Sequence, residues 1–586
     1  MKFIYIILFF FFSNSALTNE EDNSNVEVIN LHESKSLDQM VLDNLNDQEE
    51  IEESTEVLNE TDEIETSEVQ VKQIEINEDN FIRKNKITNL KDYFDKLQQI
   101  QSKTLQNQLI EVLENLELNF EIDEEKEKFF LIIEYLKSIG QINKSYELIE
   151  TYDFNNDKNL KFYTKIKLNY LLSTFQLDEA CNFKDETNSL IKLDYFFLEK
   201  LDIFCSILNN NNSEANLLNS ILIETEKDLD NYYQHLFRLI NNSSDQINIG
   251  KDINNSEINK ELIFLYSAMT RIAELPFTDE FYEIDKKNLS IPIILNQASP
   301  IDLRIKAANE SFLENLITVD SLAALYMSAD FNSDQLNNPR ETIEQFANNK
   351  ELSMAFLFQL VNIQIFPNDR LNILIQFWDF AENNNLEEIA YKLSINMLSS
   401  IEANSANIKY GLQIATAYIF NSNFKNAVEW IELYESAKQV DSKSFYTRIL
   451  LDLYSSNDLS SFINSLNLTL NSYDYNQDNQ NNELLYVLNV VMNLDIQTET
   501  NINLKKIFDD RSMPSIFLLN EIKNSIVSND DEKFLFYSII SLNNKSWNNL
   551  HPEHLKLLLN GYLKYKDGLI FRNIILEVFK NYNFII

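Results

Sequence analysis

Three small residues, Ser145, Ala180 and Ala215, recur 35 residues apart within the stretch from Phe129 to Ile221. A repeat of that length holds two helices and a turn, and a small side chain at one place on the second helix lets the first approach closely. The first unit reads EYLKSIGQINKSYELI: Gly140 supplies the turn, Ile142 closes its apex, and Ser145 begins the packed face of the second helix. A further copy stands far downstream in AYIFNSNFKNAVEWI. There Tyr418, Ser422, Phe424 and Ala427 take the aromatic, turn, aromatic and small positions, and Phe462 follows Ala427 by another 35. One such hairpin cannot bury its apolar face alone, so the pattern demands a stack of neighbours.

Composition points the same way. The chain has five glycines in 586 residues, at 140, 250, 411, 561 and 568, and seven prolines. Tight β-hairpins draw on glycine at positive φ, so an all-β or α/β chain of this length is not expected. The formal net charge is −43, unevenly spread. From Leu17 to Asn80, 21 acidic residues face only Lys35 and Lys72; from Phe81 onward, 71 acids face 46 bases. Such a surface does not attract polyanions, which argues against nucleic acid and anionic membranes as partners.

The N-terminus reads as a secretory signal peptide over Met1–Ala16. Lys2 is the positive n-region, FIYIILFFFF (Phe3–Phe12) the apolar core, and Ser13, Ser15 and Ala16 the small residues for cleavage. A membrane-spanning helix needs about 20 apolar residues, more than this run supplies, and the mature chain has no other run of that length. With no cysteine after the core to carry a lipid, the expectation is an exported, extracytoplasmic protein, soluble in the periplasm. Residues 17–80, rich in Glu, Asp, Ser, Thr and Asn, cannot bury enough apolar surface to offset the entropy of ordering, and are expected to form a disordered acidic tether.

Folding is expected to start near Asn89. Leu90, Tyr93, Phe94, Leu97 and Ile100, then Leu105, Leu109, Val112 and Leu116, keep helical spacing and predict a hairpin capping the array. An N-terminal array over 81–290 is predicted to follow. It is broken by the polar stretch Ser243–Ser256, a helix from Ser256 to Glu274, and an irregular connector reading PFTDEFYEIDKKNLSIPIILNQ. A second array is expected over 291–586. Its helix starts are signalled by Ser299-Pro300-Ile301-Asp302 and Asn338-Pro339-Arg340-Glu341, each offering a cap residue, Pro at the first helical position and an acid. Asn471–Asn482 is its one long low-complexity loop.

Catalytic and metal signatures are scarce. GxGxxG, the P-loop, GxSxG and HExxH are all missing from the sequence. His32 falls in the acidic segment and His235 in a helix without a Cys or His nearby, while His551 and His554 stand three apart at a helix start with no third ligand in view. No catalytic residue, cofactor site or metal site is assigned. Aromatic stripes such as Phe377, Trp378 and Phe380 read as core, as do Trp430 and Trp547, although the last two could line a concave groove.

Cys181 follows Ala180 on the second helix of one unit, and Cys205 lies on the first helix of the next. The turn between these antiparallel helices falls near Leu193, midway between the thiols, which sets both at one height. A disulfide is predicted if the chain folds in an oxidising compartment, the alternative being two buried small side chains.

The body resembles tetratricopeptide-like helical-repeat proteins. The stretches DEACNF…FFLEKLDIFCSILNNNNSEANLLNSILIE and ASPIDLRIKAANESFLENLITVDSLAALY are similar to a group of exported alphaproteobacterial helical-repeat proteins. The motifs are degenerate, since Gly140 is the only glycine in a turn slot while Asn210 and Ser422 stand there elsewhere. The resemblance implies an all-α solenoid acting as a non-catalytic scaffold for another envelope protein. It carries over no catalytic residue. The rival expectations are an accessory superhelical module of a cell-wall-acting enzyme system and a structural spacer.

Overall fold

The computed structural model of the chain describes residues 81–586 except 98–99, 155–156, 189–194, 227–228, 242–257, 439–440, 457, 472–481, 495–508, 566–567 and 583–586. The expected signal peptide, the acidic tether, the polar stretch after Ser243 and nearly all of the Asn-rich loop lie outside the described residues. Among those described, the secondary structure is entirely helical, without a strand. No described helix is long and apolar enough to cross a membrane.

The hairpins share one turn device. Gly140, Phe175 and Asn210, again 35 apart, take left-handed φ values of 91°, 64° and 60°. Asn385, Ser422, Asn493 and Asn529 do the same further on, with φ between 52° and 56°. After each, the next amide reaches back five residues to a free carbonyl of the finished helix: Gln141 to Leu136 (2.9 Å), Gln176 to Leu171 (2.8 Å), Asn211 to Ser206 (2.8 Å), Leu386 to Ala381 (2.9 Å) and Asn423 to Tyr418 (2.9 Å). This closure satisfies carbonyls that a helix end leaves unpaired. Asparagine tolerates the left-handed region better than other non-glycine residues, which is how the chain turns so often with so little glycine. Phe175, Ser422 and Glu274 depart from this rule, and the Arg271 guanidinium lies over the Phe175 ring at 3.9 Å.

The units do not stack in simple succession. Helix Ile263–Ile272 packs directly on Leu160–Ser173, so the helices from Leu177–Asn188 to Asn231–Asn241 form a side lobe bracketed by those two. Inside the lobe, Lys200 is buried between Glu226 and Asp230, both at 2.8 Å, while the Tyr233 hydroxyl donates to its carbonyl. A buried ammonium needs such compensation.

Two expected features differ. The connector after Pro276 is largely helical, with Asp279–Tyr282 and Lys286–Leu295. Pro292 sits inside the second of these, removing the bond to the Asn288 carbonyl, yet every residue from Asn288 to Leu295 is buried and packing holds the helix. At the next start, Pro300 is the residue before the helix rather than its first member, and the Ser299 hydroxyl accepts from Phe277 N–H (3.0 Å) instead of capping. Pro339 does open its helix, although the Asn338 side chain makes no cap bond.

The first and last described hairpins meet. The described helices begin at Phe81, ahead of the expected Asn89, and its ring packs on Phe536 and Tyr537 at 4.9 and 5.5 Å while its amide donates to Glu532 (2.9 Å). Helix Lys103–Glu114 does not pair with its predecessor as a terminal cap. It packs on Asp531–Leu542 and Gly568–Asn581, because its apolar stripe finds the last hairpins of the array. At the join, the Glu577 carboxylate accepts from Ser102 Oγ (2.6 Å), Thr104 N–H (2.7 Å) and Trp547 Nε1 (2.9 Å). An anion at a helix N-terminus is also favoured by the helix dipole. Replacing Glu577 by Ala strands these donors and is expected to cost about 2–3 kcal/mol in urea unfolding. An unchanged midpoint would show that the seam contributes nothing to stability.

Candidate functional site

The residues singled out by repeat spacing lie at the contacts between helices. Ser145, Ala180, Ala215 and Ala427 are fully buried, each five residues beyond a left-handed turn residue. The Tyr418 hydroxyl donates to the Leu398 carbonyl (3.3 Å), Phe424 is half-buried and Phe462 is fully buried. A Cβ at Gly140 would run into the Lys287 side chain, so this glycine answers both to its φ and to a close neighbour. Ala390, five beyond Asn385 and fully buried, keeps the same register and was missed by the sequence reading. Its signal was present as Asn385 in a turn slot. Where Phe534 occupies the register after Asn529, Gly561 makes room, since a Cβ there would collide with the phenyl ring.

Cys181 and Cys205 form a disulfide with Cα atoms 5.8 Å apart. It ties Leu177–Asn188 to Tyr195–Leu208 near the root of the side lobe, with both sulfurs largely shielded from solvent. The two thiols, equidistant in sequence from Leu193, thus stand side by side on the two helices.

The two C-terminal histidines serve different partners. His551 stands before the helix and its Nδ1 accepts from Glu553 N–H (3.2 Å). His554 is buried, with Nε2 2.9 Å from Ser541 Oγ. Burial pushes the His554 imidazole down to about 4, and the positive charge of Lys545 and the proximity of His551 act in the same direction. The pair therefore does not converge on one ion. Among the described residues no group of three His, Cys, Asp or Glu is disposed to hold a metal. Trp430 and Trp547 are buried, Trp547 donating to Glu577 as described, so neither lines an open groove.

No family model, curated protein or solved structure matches this chain.

Two surfaces remain as candidates for recognition. Between the joined ends lies a cavity of about 500 Å³ of mixed character, bordered by Lys103, Glu111, Lys580, Tyr454, Leu569 and Leu576. On the side lobe, helix Asn212–Thr225 packs chiefly on Tyr195–Leu208 and turns Leu217 and Ile221, one helical turn apart, to solvent. Leu217 is 63% exposed and Ile221 42%.

Two measurements follow from the covalent and titrating groups. Breaking the disulfide with Cys181→Ser and Cys205→Ser, for a sequence separation of 24, is expected to lower stability by about 3 kcal/mol in the loop-entropy estimate. A non-reduced digest should yield the linked peptide. For His554, the folded state holds its proton less tightly than the unfolded imidazole near 6.5, so its contribution is present above that pH and lost as pH falls towards 4. Stability should drop by about 2 kcal/mol on this account between pH 7.5 and 5. His554→Asn should flatten that slope in denaturant titrations, whatever its effect on the absolute value.

Proposed function

We propose that this protein is a non-catalytic, exported helical-repeat scaffold of the tetratricopeptide-like kind that binds another protein of the cell envelope. The observation that carries the reading is the apolar outer face of helix Asn212–Thr225. Leu217 and Ile221 lie side by side in solvent on a lobe braced by a disulfide and by the buried Lys200 cluster. Exposed apolar groups on a rigid element supply contact area at little entropic cost on binding. The disulfide supports a compartment where thiols oxidise, and with it export.

The outer face is favoured over the concave groove that an open solenoid would offer. Helix Lys103–Glu114 lies between the two ends of the array, and the space left there is bordered by charged groups of both signs. A partner segment threaded along the inside would have to displace the seam.

The double variant Leu217→Asp/Ile221→Asp should keep its stability to within about 0.5 kcal/mol, because both side chains are exposed. It should lose the protein that wild type retains in affinity capture from envelope extracts. Equal recovery by both forms would remove this face from the function. N-terminal sequencing of the mature chain tests the export half of the reading, with an intact Met1 as the contrary result.

A further inference from the structure

Helices Gly411–Phe420, Phe424–Lys438 and Ser442–Ser455 enclose a pocket of about 280 Å³ whose rim carries Lys409, Lys438 and Lys443. All three are exposed, and among the described residues none makes a salt bridge to a carboxylate; Lys409 and Lys438 lie only over the rings of Tyr410 and Tyr434. Neighbouring bases behave otherwise, for Arg448 is bound to Glu435 and Lys392 to Glu388. Carboxylates near the pocket already have internal donors. The Tyr391 hydroxyl donates to Glu382 (2.7 Å), the Tyr434 hydroxyl to Asp441 (2.8 Å), and Gln413 Nε2 to Asp379 (2.9 Å). Three ammonium groups thus share one concavity, with the Glu382 carboxylate on the same wall acting on Lys443, on a body in which 71 acids outnumber 46 bases.

We infer that this pocket is the docking site of the chain's own acidic N-terminal stretch, within Leu17–Asn80. Its chemistry calls for an extended, carboxylate-rich peptide that also carries aliphatic side chains, because the floor is made of Leu412 and Leu450 beside the Tyr446 ring. Glu49–Glu65, reading EEIEESTEVLNETDEIE, interleaves acids with Ile51, Val57, Leu58 and Ile64 in that manner. Phe81 fixes where this stretch joins the body, and 15 residues separate it from Glu65. At about 3.3 Å per extended residue that linker spans roughly 50 Å. Attachment in cis raises the effective concentration to the millimolar range, so individually weak carboxylate–ammonium contacts suffice. The inference is independent of the apolar face on the side lobe.

The test uses the full chain with Val57→Cys labelled by a fluorescent dye, the two native cysteines being joined to each other. Steady-state anisotropy should be high at low ionic strength, independent of protein concentration, and should fall in about 0.5 M salt as screening shortens to a few ångströms. Changing Lys409, Lys438 and Lys443 together to Gln should bring the low-salt value down to the high-salt value, with the thermal midpoint unchanged, while changing all three to Arg should preserve it. Zero-length carbodiimide coupling of the unlabelled chain should join acids of 49–65 to these three lysines. A low-salt anisotropy indifferent to the Gln variant, coupling spread over other lysines, or anisotropy that rises with protein concentration would each overturn docking in cis, the last by assigning the pocket to a second copy's acidic stretch.

Discussion

The tight hairpins of this fold depend on reversing a helix within one or two residues. A residue at positive φ allows it, and the amide that follows closes the turn by binding a carbonyl five residues back. The geometry also sets where the second helix begins, and so places the closest contact five residues beyond the turn. Ser145, Ala180, Ala215, Ala390 and Ala427 all stand at that point, while the Phe534–Gly561 pair meets the same demand by moving the small residue to the neighbouring helix. Turn and packing are one constraint seen from two sides.

This explains what could be read from the residues alone. Spacing of 35 exposes the all-helical character, because it is imposed by local geometry. The turn slots at Asn210 and Ser422 are legible for the same reason, and so is the level of the two cysteines. Phe175 in a left-handed slot is not, since nothing local favours it and its compensation comes from Arg271, almost a hundred residues away. The helix through Pro292 escapes notice likewise: local rules break it and burial on all sides restores it. The assignment of Lys103–Glu114 to a terminal hairpin fails because an apolar stripe records that a helix is covered, not by which element.

Charge shows the same division. The acidic excess is plain in composition, but which bases form salt bridges is decided by tertiary placement. Lys200 lies in an ordinary amphipathic segment and is buried between two carboxylates contributed by residues 26 and 30 positions on. Lys409, Lys438 and Lys443 come from three separate elements and share a pocket only because the hairpins stack. Recognition in a helical array is therefore written in the stacking order rather than in any one unit.

The join between the two ends also sets a mechanical load path. Tension applied to anything before Phe81 enters the molecule at its contacts with Glu532, Phe536 and Tyr537 and passes straight into the last hairpins. The intervening array is bypassed, as a ring pulled at its clasp leaves the far side slack. Helix Lys103–Glu114 and its Glu577 anchor would bear that force next, before any repeat is asked to unstack. A pull between the N-terminal stretch and the last hairpins would in this way leave the side lobe in its resting geometry.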